Sequence, residues 1–468
     1  MVGGTVRDLL LQRGASPDAD LTTDATPQEI KQLVAPTHPS AVVLVGERFG
    51  TVRLYFRRQE RAEEEAGKSA VSETPGEASG AAEQDVIEIT TFRTERYNPD
   101  SRRPEVTFGT VLEEDLLRRD LTINAMARDP LTGAIIDPYG GRADLEARLL
   151  RAVGDDPEKR FDEDPLRLLR VVRFAAQLNF TIEKKTAQAI TRRAQTLEKI
   201  SRERIRDEMN KILLAPMPVL GLRLMVDLGL MEWVIPEVLE LRGVSQRPVH
   251  SKDVYAHTLQ VVQNAPPHLI TRWAALLHDI GKPRTRSVED GKVHFFGHED
   301  VGAAMARDIL RRLKCSREQI DAVCLLVHLH MRSNAYTSDW TDGAVRRLML
   351  EANEYLPELL DLSQADITSY RPEKVSRAVA RVQELRERAR LLKEEAERVP
   401  LKSPLDGNEL MELFGRGPGP WLKPVKEYLL GLVIDGKLAP EDKAGAAEEA
   451  RRFVAAHSEL LAAGEQRG

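Results

Sequence analysis

The 468-residue chain is 42% hydrophobic and 30% charged with a formal net charge of −6, the balance of an ordinary soluble protein of about three domains. A mildly acidic total excludes a bulk polycation, so any nucleic-acid partner must be met by local basic faces. Two cysteines, Cys315 and Cys324, exclude a disulfide framework and point to a reducing compartment, with both expected as small apolar residues in helices. No apolar run is long enough to span a membrane and no charged start leads into an apolar signal region, so the expected location is the cytoplasm, with no membrane partner.

Met1-Val2 falls inside what reads as a first strand, so the start of the chain reads as misplaced or that strand as short. Residues 5–13 then show a helical pattern with Val6, Leu9 and Leu10 on one face. Gly3-Gly4 in front of it offers backbone without Cβ atoms, open to close approach by a triphosphate, and Arg7 adds a fixed positive charge. In Pro17-Asp18-Ala19-Asp20, strand alternation sends Asp18 and Asp20 to the same side, where two carboxylates suit a hard divalent cation completed by phosphate oxygens. Asp-x-Asp alone is more often a solvated turn; the Gly-Gly-x-x-Arg-Asp run before it favours the metal.

Thr26 and Pro27 are expected to cap a helix over QEIKQLV. Strands follow at AVVLVG, TVRLYFRR and VIEITTF (86–92), the makings of a head built on one small sheet. Residues 59–85 lack periodicity and large apolar residues and read as a disordered hairpin insertion. Glu88 is either a third carboxylate beside the aspartates or a sheet-edge residue facing solvent. Residues 93–110 are polar, basic and turn-rich and are expected to form a mobile loop. Arg118 and Arg119 just beyond are either a solvated pair or phosphate contacts, and their place after the loop favours phosphate. After IIDPYGGRADLEARLLRAVG (135–154) the chain is expected to be helical to its end. In EDPLRLLRVVRF, Arg167, Arg170 and Arg173 recur every three residues with Asp164 one step earlier on the same face. A carboxylate and a guanidinium a turn apart can pair with a nucleobase edge or simply with each other.

The stretches VGGTVRDLLL, DADLTTDATP, EITTFR, RRDLTINAMA, EDPLRLLRVVRFAAQLNF and SRERIRDEMNKIL resemble, in order, the bacterial class II CCA tRNA nucleotidyltransferases and their poly(A) polymerase relatives. Each motif alone is weak; six in order over residues 1–215 are specific. The resemblance implies an α+β fold: a polymerase-beta-like nucleotidyltransferase head with a small mixed sheet (1–138), then an all-α neck (139–215), HD-type body (216–380) and tRNA-binding tail (381–468). It implies addition of CCA, or its terminal A, to tRNA 3′ ends from CTP and ATP, with poly(A) synthesis as the alternative. By this likeness Asp18 and Asp20 hold Mg2+. Gly3, Gly4, Arg7, Arg118, Arg119, Asp120 and Asn124 hold the nucleotide, while Asp164, Arg167 and Arg170 serve its base and surroundings. The shortened start and the 59–85 insertion depart from the family pattern. The 93–110 segment is intact, whereas a shortened loop accompanies family members that stop after CC.

Residues 245–370 carry His257, His278, Asp279, His298, His328 and Asp366, with His294 and His330 nearby as less favoured ligands. Imidazole mixed with carboxylate suits borderline and harder divalent ions. The spacing resembles the HD phosphohydrolase superfamily, which implies a second divalent transition metal and phosphatase or phosphodiesterase activity on RNA 3′ ends, or an HD fold whose metal activity is vestigial. Residues 371–400 read as a solvated, charge-paired helix. In the tail Lys423 and Lys426 are surface lysines or phosphate contacts. The oligomeric state is left open.

Overall fold

Strands β1 (Asp18–Thr23), β2 (Ala41–Val45), β3 (Thr51–Arg57) and β4 (Gln84–Thr91) form a mixed sheet in the order β1-β4-β3-β2, with β1 parallel to β4 and the other pairs antiparallel. The computed structural model describes residues 1–13, 18–45, 50–57, 84–96, 105–245, 253–398 and 401–457. The chain divides into two units, Met1–Val234 and Ile235–Gly468. Among the described residues no helix is long and apolar enough to cross a membrane. Residues 59–83 of the expected insertion lie outside the described set.

In the first unit, helix α1 (Gly4–Leu10) buries Val6 but leaves Leu9 nearly half exposed, so the expected apolar face is narrower than the pattern suggests. Helix α2 (Pro27–Val34) starts at Thr26, whose hydroxyl accepts from the Glu29 amide while Glu29 reaches back to the Thr26 amide. Its Ile30 and Val34, one turn apart, pack on Val52 and Leu54 of β3; full burial of each such side chain stabilises by roughly 1.5–3 kcal/mol. Because side chains alternate along a strand, that packing turns Arg53 to the opposite face, and Glu88 and Asp20 lie beside it in register across β4 and β1. Helix α2 therefore settles which face of the sheet carries the acidic residues.

Residues 93–110, expected as a loop, instead contain the antiparallel pair β5 (Arg93–Arg96) and β6 (Glu105–Phe108); 97–104 lie outside the described residues. The β-branched and aromatic residues Thr94, Val106, Thr107 and Phe108 suit strand geometry despite the polar composition. After α3 (Leu112–Leu117), the short pair β7 (Ala127–Arg128) and β8 (Ile135–Ile136) leads to α4 (Gly141–Glu146). Then come β9 (Leu149–Leu150), α5 (Pro157–Glu163), α6 (Leu166–Leu178), β10 (Thr181–Ile182), α7 (Lys184–Arg193), α8 (Arg202–Leu213), α9 (Pro218–Asp227) and α10 (Met231–Val234). Strand β10, paired in parallel with β9, interrupts the expected all-helical run. Asp164 is not on the α6 face: it is an extended residue between α5 and α6 (φ −145°, ψ 99°). Pro165 explains this, since the residue before proline is driven out of the helical region.

The second unit contains α11 (Val254–Asn264), α12 (Leu269–Leu277), α13 (Lys282–Thr285), α14 (His298–Arg312), α15 (Arg317–Asn334), α16 (Asp342–Ala352), α17 (Leu356–Ala365) and α18 (Pro372–Arg398). Its one described hairpin, β11 (Ser287–Glu289) with β12 (Lys292–His294), turns on Asp290-Gly291, both at positive φ, as tight two-residue hairpins require. Helix α18 is charged as expected but not solvated all round: Leu385, Ala389 and Leu392 form a buried stripe, and the helix runs unbroken across residue 381. Cys324 is buried in α15, whereas Cys315 lies in the connection before it rather than in a helix. Helices α19 (Gly407–Phe414), α20 (Leu422–Ile434) and α21 (Lys443–Ala456) close around Trp421, Leu410, Leu429 and Val433.

Candidate functional site

A cleft of about 760 Å3 opens in the first unit between the head sheet and α6. Eight arginines and a lysine line it against three aspartates, so it is strongly electropositive in a chain whose total charge is negative. That imbalance is the signature of a polyanionic ligand, not of a neutral one.

At one end Val2 is held between Asp20 and Ala127, and Gly3 donates to the Met126 carbonyl at 3.1 Å. Gly3 sits at φ 66°, and a Cβ there would fall 2.5 Å from Arg119 Nη1. The guanidinium rests where only glycine leaves room. On α1, Arg7 donates to both oxygens of Asp8 at 2.8 Å and from Nη1 to Asn124 Oδ1 at 2.8 Å. Asn124 in turn donates to Asp120 Oδ1 at 3.0 Å, and Asp120 Oδ2 accepts from Arg170 Nε at 2.8 Å and Nη2 at 2.6 Å. A hydrogen-bonded chain thus runs from α1 through the turn Thr122–Asn124 to α6. Burial pushes the Asp120 carboxyl up, but Arg170, Asn124 and Arg167 more than offset it and hold it well below the usual range. Beneath this chain the Phe174 ring has three guanidinium carbons near it: Arg7 at 5.2 Å, Arg170 at 5.7 Å and Arg173 at 4.3 Å.

Arg118 and Arg119 both line the cleft and both pair with the buried Asp115. Burial lowers the Arg119 pKa, with Asp115 opposing it. Arg167 Nη1 donates to Glu163 and to the Arg160 carbonyl, and Nη2 to the Arg118 carbonyl. Asp164 accepts from the Leu166 amide at 3.2 Å and from Arg204 Nη2 at 2.8 Å. On the sheet, exposed Asp20 pairs in register with Glu88, which accepts from Arg53. Asp18 occupies the first position of β1, in register with Val86.

The second unit gathers five of its six expected ligands. His257 Nε2 lies 2.9 Å from Asp366 Oδ1, His278 Nε2 3.2 Å from Asp279 Oδ2, and His298 Nε2 3.4 Å from Asp279 Oδ1. The sixth, His328, is half exposed on the outer side of α15 and pairs with Asp300 at 2.8 Å. His330, two residues on and so on the opposite side of the helix, points inward, its Nε2 3.3 Å from that of His298. The groups able to hold an ion are thus His257, His278 and Asp366, and Asp279, His298 and His330. His294, on β12, is not among them.

The rings of His278, His298 and His330 each donate from Nδ1 to a backbone carbonyl (Ala275, Phe295 and Val327) at 2.6–2.9 Å. That fixes the tautomer and turns each Nε2 lone pair toward the cluster, as metal-binding histidines require. Burial, with His278 assisting, pushes His330 down to about 4. Burial raises Asp366 but His257 and His278 bring it to about 2, and Asp279 is likewise held well below its usual value. Burial lowers His278, but the Asp279 and Asp366 carboxylates beside it more than offset this and leave it above its ordinary value. The donor set fits divalent metal. Gly281 permits the assembly, because a Cβ there would meet the His298 carbonyl at 2.3 Å.

Residues 1–151 match the model of the poly A polymerase head domain, 179–241 that of the probable RNA- and SrmB-binding site of polymerase A, and 249–371 the HD domain. The chain is 36% identical over 359 residues to the A-adding tRNA nucleotidyltransferase of Deinococcus radiodurans, covering 73% of this chain and 79% of that one. It belongs to the tRNA nucleotidyltransferase family. A CC-adding tRNA nucleotidyltransferase of Thermus thermophilus is also 36% identical over 359 residues, covering 73% of this chain and 77% of that one. The crystal structure of the Bacillus stearothermophilus CCA-adding enzyme in complex with CTP superposes with a TM-score of 0.66 at 28% identity, over 97% of this chain and 93% of that one.

For a tRNA nucleotidyltransferase, ten of the residues singled out from the sequence line one cleft, namely Gly4, Arg7, Asp20, Arg118, Arg119, Asp120, Asn124, Asp164, Arg167 and Arg170, while Gly3 does not line it. Arg93, Phe174, Gln177, Arg204 and Lys211 line it too and were not anticipated. Arg93 and Arg204 lie inside stretches that carry the resemblance, which was the available signal.

Proposed function

We propose that this chain adds CCA, or its terminal A, to tRNA 3′ ends without a nucleic-acid template, using CTP and ATP and releasing pyrophosphate. The observation that carries the reading is the electropositive cleft whose edge is formed by the strand bearing Asp18 and Asp20. Magnesium held by those two carboxylates would lower the pKa of the RNA 3′-hydroxyl and steady the departing pyrophosphate. The chain's own part is positioning. Gly3 and Gly4 admit the triphosphate to the backbone; Arg7, Arg118 and Arg119 neutralise it; Asp120 and Asn124 hold Arg7 and Arg170 in place. Asp164 accepts from the exocyclic amino group common to cytosine and adenine. Arg167 keeps its Nε hydrogen and one on Nη2 to donate to the neighbouring ring nitrogen. UTP and GTP lack that donor–acceptor pattern at the same edge.

The division into head 1–138, neck 139–215, body 216–380 and tail 381–468, with the tail contacting tRNA, belongs to the same proposal, as does a cytoplasmic location. The relatives include A-adding and CC-adding enzymes at equal identity, so the product is decided by assay. Purified protein is incubated with Mg2+, each labelled triphosphate and tRNA ending at the discriminator base, with CC-ended tRNA in parallel. CCA on the first substrate, or a single A on the second, supports the reading; long A tails indicate a poly(A) polymerase.

The convergence of five Nε2 or carboxylate ligands with His330 favours a second reading beside the first. These residues would hold a divalent transition metal, which supplies Lewis-acid chemistry for phosphate-ester hydrolysis. Release of phosphate from a 3′-phosphorylated or cyclic-phosphate RNA end, without extension, would identify it.

A further inference from the structure

Asp115 is a fully buried carboxylate on α3 that does not itself line the cleft. Its Oδ1 accepts from Arg118 Nε at 2.9 Å and Nη2 at 2.7 Å, and from the Arg93 amide at 3.4 Å. Its Oδ2 accepts from Arg119 Nη2 at 3.4 Å. Three residues of the cleft wall, from α3's end and from the start of β5, thus hang on one carboxylate. Arg118 and Arg119 fall three and four residues after Asp115, the spacing that brings side chains together at a helix end. Both guanidiniums remain about a fifth exposed, open on the cleft side while tied behind.

We propose that Asp115 is the positioning residue for the phosphate-binding wall: it touches no substrate and acts by holding Arg118 and Arg119 in the geometry that meets a triphosphate. Buried ion pairs are weak sources of stability, since well-packed apolar residues often serve as well. A carboxylate placed behind two ligand-facing arginines has a different consequence. An arginine already fixed loses less side-chain freedom when the ligand arrives, and its fork is presented at the right angle. The phosphate chain is common to all four nucleotides, so Asp115 governs triphosphate affinity as such and not the choice of base. The inference rests on the cleft being the nucleotide site.

The test is Asp115→Asn in the full chain, which keeps the volume and one acceptor. KM for ATP and for CTP is expected to rise by the same factor, roughly tenfold for a loss of ordered charge-assisted contacts. KM for tRNA and the preference among triphosphates stay unchanged. In an Arg118→Ala/Arg119→Ala background the same change adds less than about twofold, because the residues through which it acts are gone. An unchanged or lowered triphosphate KM in D115N, with Arg119→Ala harmful, overturns the proposal: Asp115 then merely offsets charge. A neutral Arg119→Ala overturns the nucleotide reading of the cleft and the proposal with it. Should D115N fail to fold, Asp115→Glu keeps the charge but shifts it by a methylene; it is expected to raise triphosphate KM alone, and an unchanged KM there overturns the proposal.

Discussion

Asp120 and Arg170, fifty residues apart in sequence, meet at 2.6 Å and join the turn after α3 to the middle of α6. Asp120→Asn is expected to destabilise the first unit by about 2 kcal/mol, the scale of a lost charged hydrogen bond, and to weaken nucleotide binding as Arg170 and Asn124 relax. The pH dependence has a definite sign. The folded pKa is depressed, so the contribution is full above the unfolded carboxylate value of about 3.9 and is lost as pH falls below it. Melting temperatures of the wild type and D120N should converge as pH is lowered from 5 to 3; a constant gap would remove Asp120 as the source.

Gly3→Ala tests the close approach at the cleft's other end. The Gly3 backbone (φ 66°, ψ −132°) lies in a region an L-residue enters at a cost of about 1–3 kcal/mol, and the new methyl displaces Arg119. Triphosphate KM should rise several-fold, roughly as for any lost charged contact, with tRNA KM unaffected. Gly4→Ala, whose Cβ would meet only Arg7 at 3.5 Å, should be the milder change in the same assay.

Much of this was legible because local signals and packing agree. Thr26-Pro27 starts a helix through its own side chain, and VIEITTF pairs as a strand. Failures occur where a neighbour decides. Composition marked 93–110 as loop, but strand pairing across it is a non-local fact. The three-residue spacing from Asp164 through Arg173 points to one face of α6, but Pro165 ends that regularity before the helix begins. The pattern of histidines alone points to His328, yet Val323, Val327 and His330 share the spacing of a buried face and it is His330 that turns inward. Asp115 gave no signal, since one acid among Glu113, Glu114 and Asp115 looks like a solvated helix start. Its burial depends on two arginines folding back over it.

The histidine correction yields its own test. His330→Ala should lower the metal content of the purified protein, measured by inductively coupled plasma mass spectrometry, because it removes an inward Nε2. Loss of one ligand commonly costs more than the roughly 10–100-fold in affinity seen for outer partners. His328→Ala should leave metal content unchanged, since its ring pairs with Asp300 at the surface. The reverse pattern would mean that α15 is rotated from the position described.

Asp18→Ala with Asp20→Ala should reduce nucleotide incorporation below detection while leaving any phosphate release by the His-Asp cluster intact. The two activities depend on separate residues, so the double variant separates them in one preparation. Incorporation that persists would refute magnesium binding by this pair.

Asp164 and Arg204 supply the sharpest test of base choice. The Asp164 carboxylate is fixed by the Leu166 amide on one oxygen and Arg204 on the other, and each oxygen keeps a lone pair for a base amino group. Asp164→Ala removes the acceptor, so discrimination of CTP and ATP from UTP and GTP should fall by roughly 10–100-fold, the worth of one or two hydrogen bonds. tRNA KM should change little. Arg204→Ala leaves the acceptor but frees one oxygen to turn, and Arg204 itself is half exposed, so its effect should be in the same direction and several-fold smaller. Misincorporation measured with each triphosphate singly gives both ratios. Equal selectivity in Asp164→Ala and wild type would remove the base-reading role, and a larger loss in Arg204→Ala than in Asp164→Ala would transfer that role to the arginine.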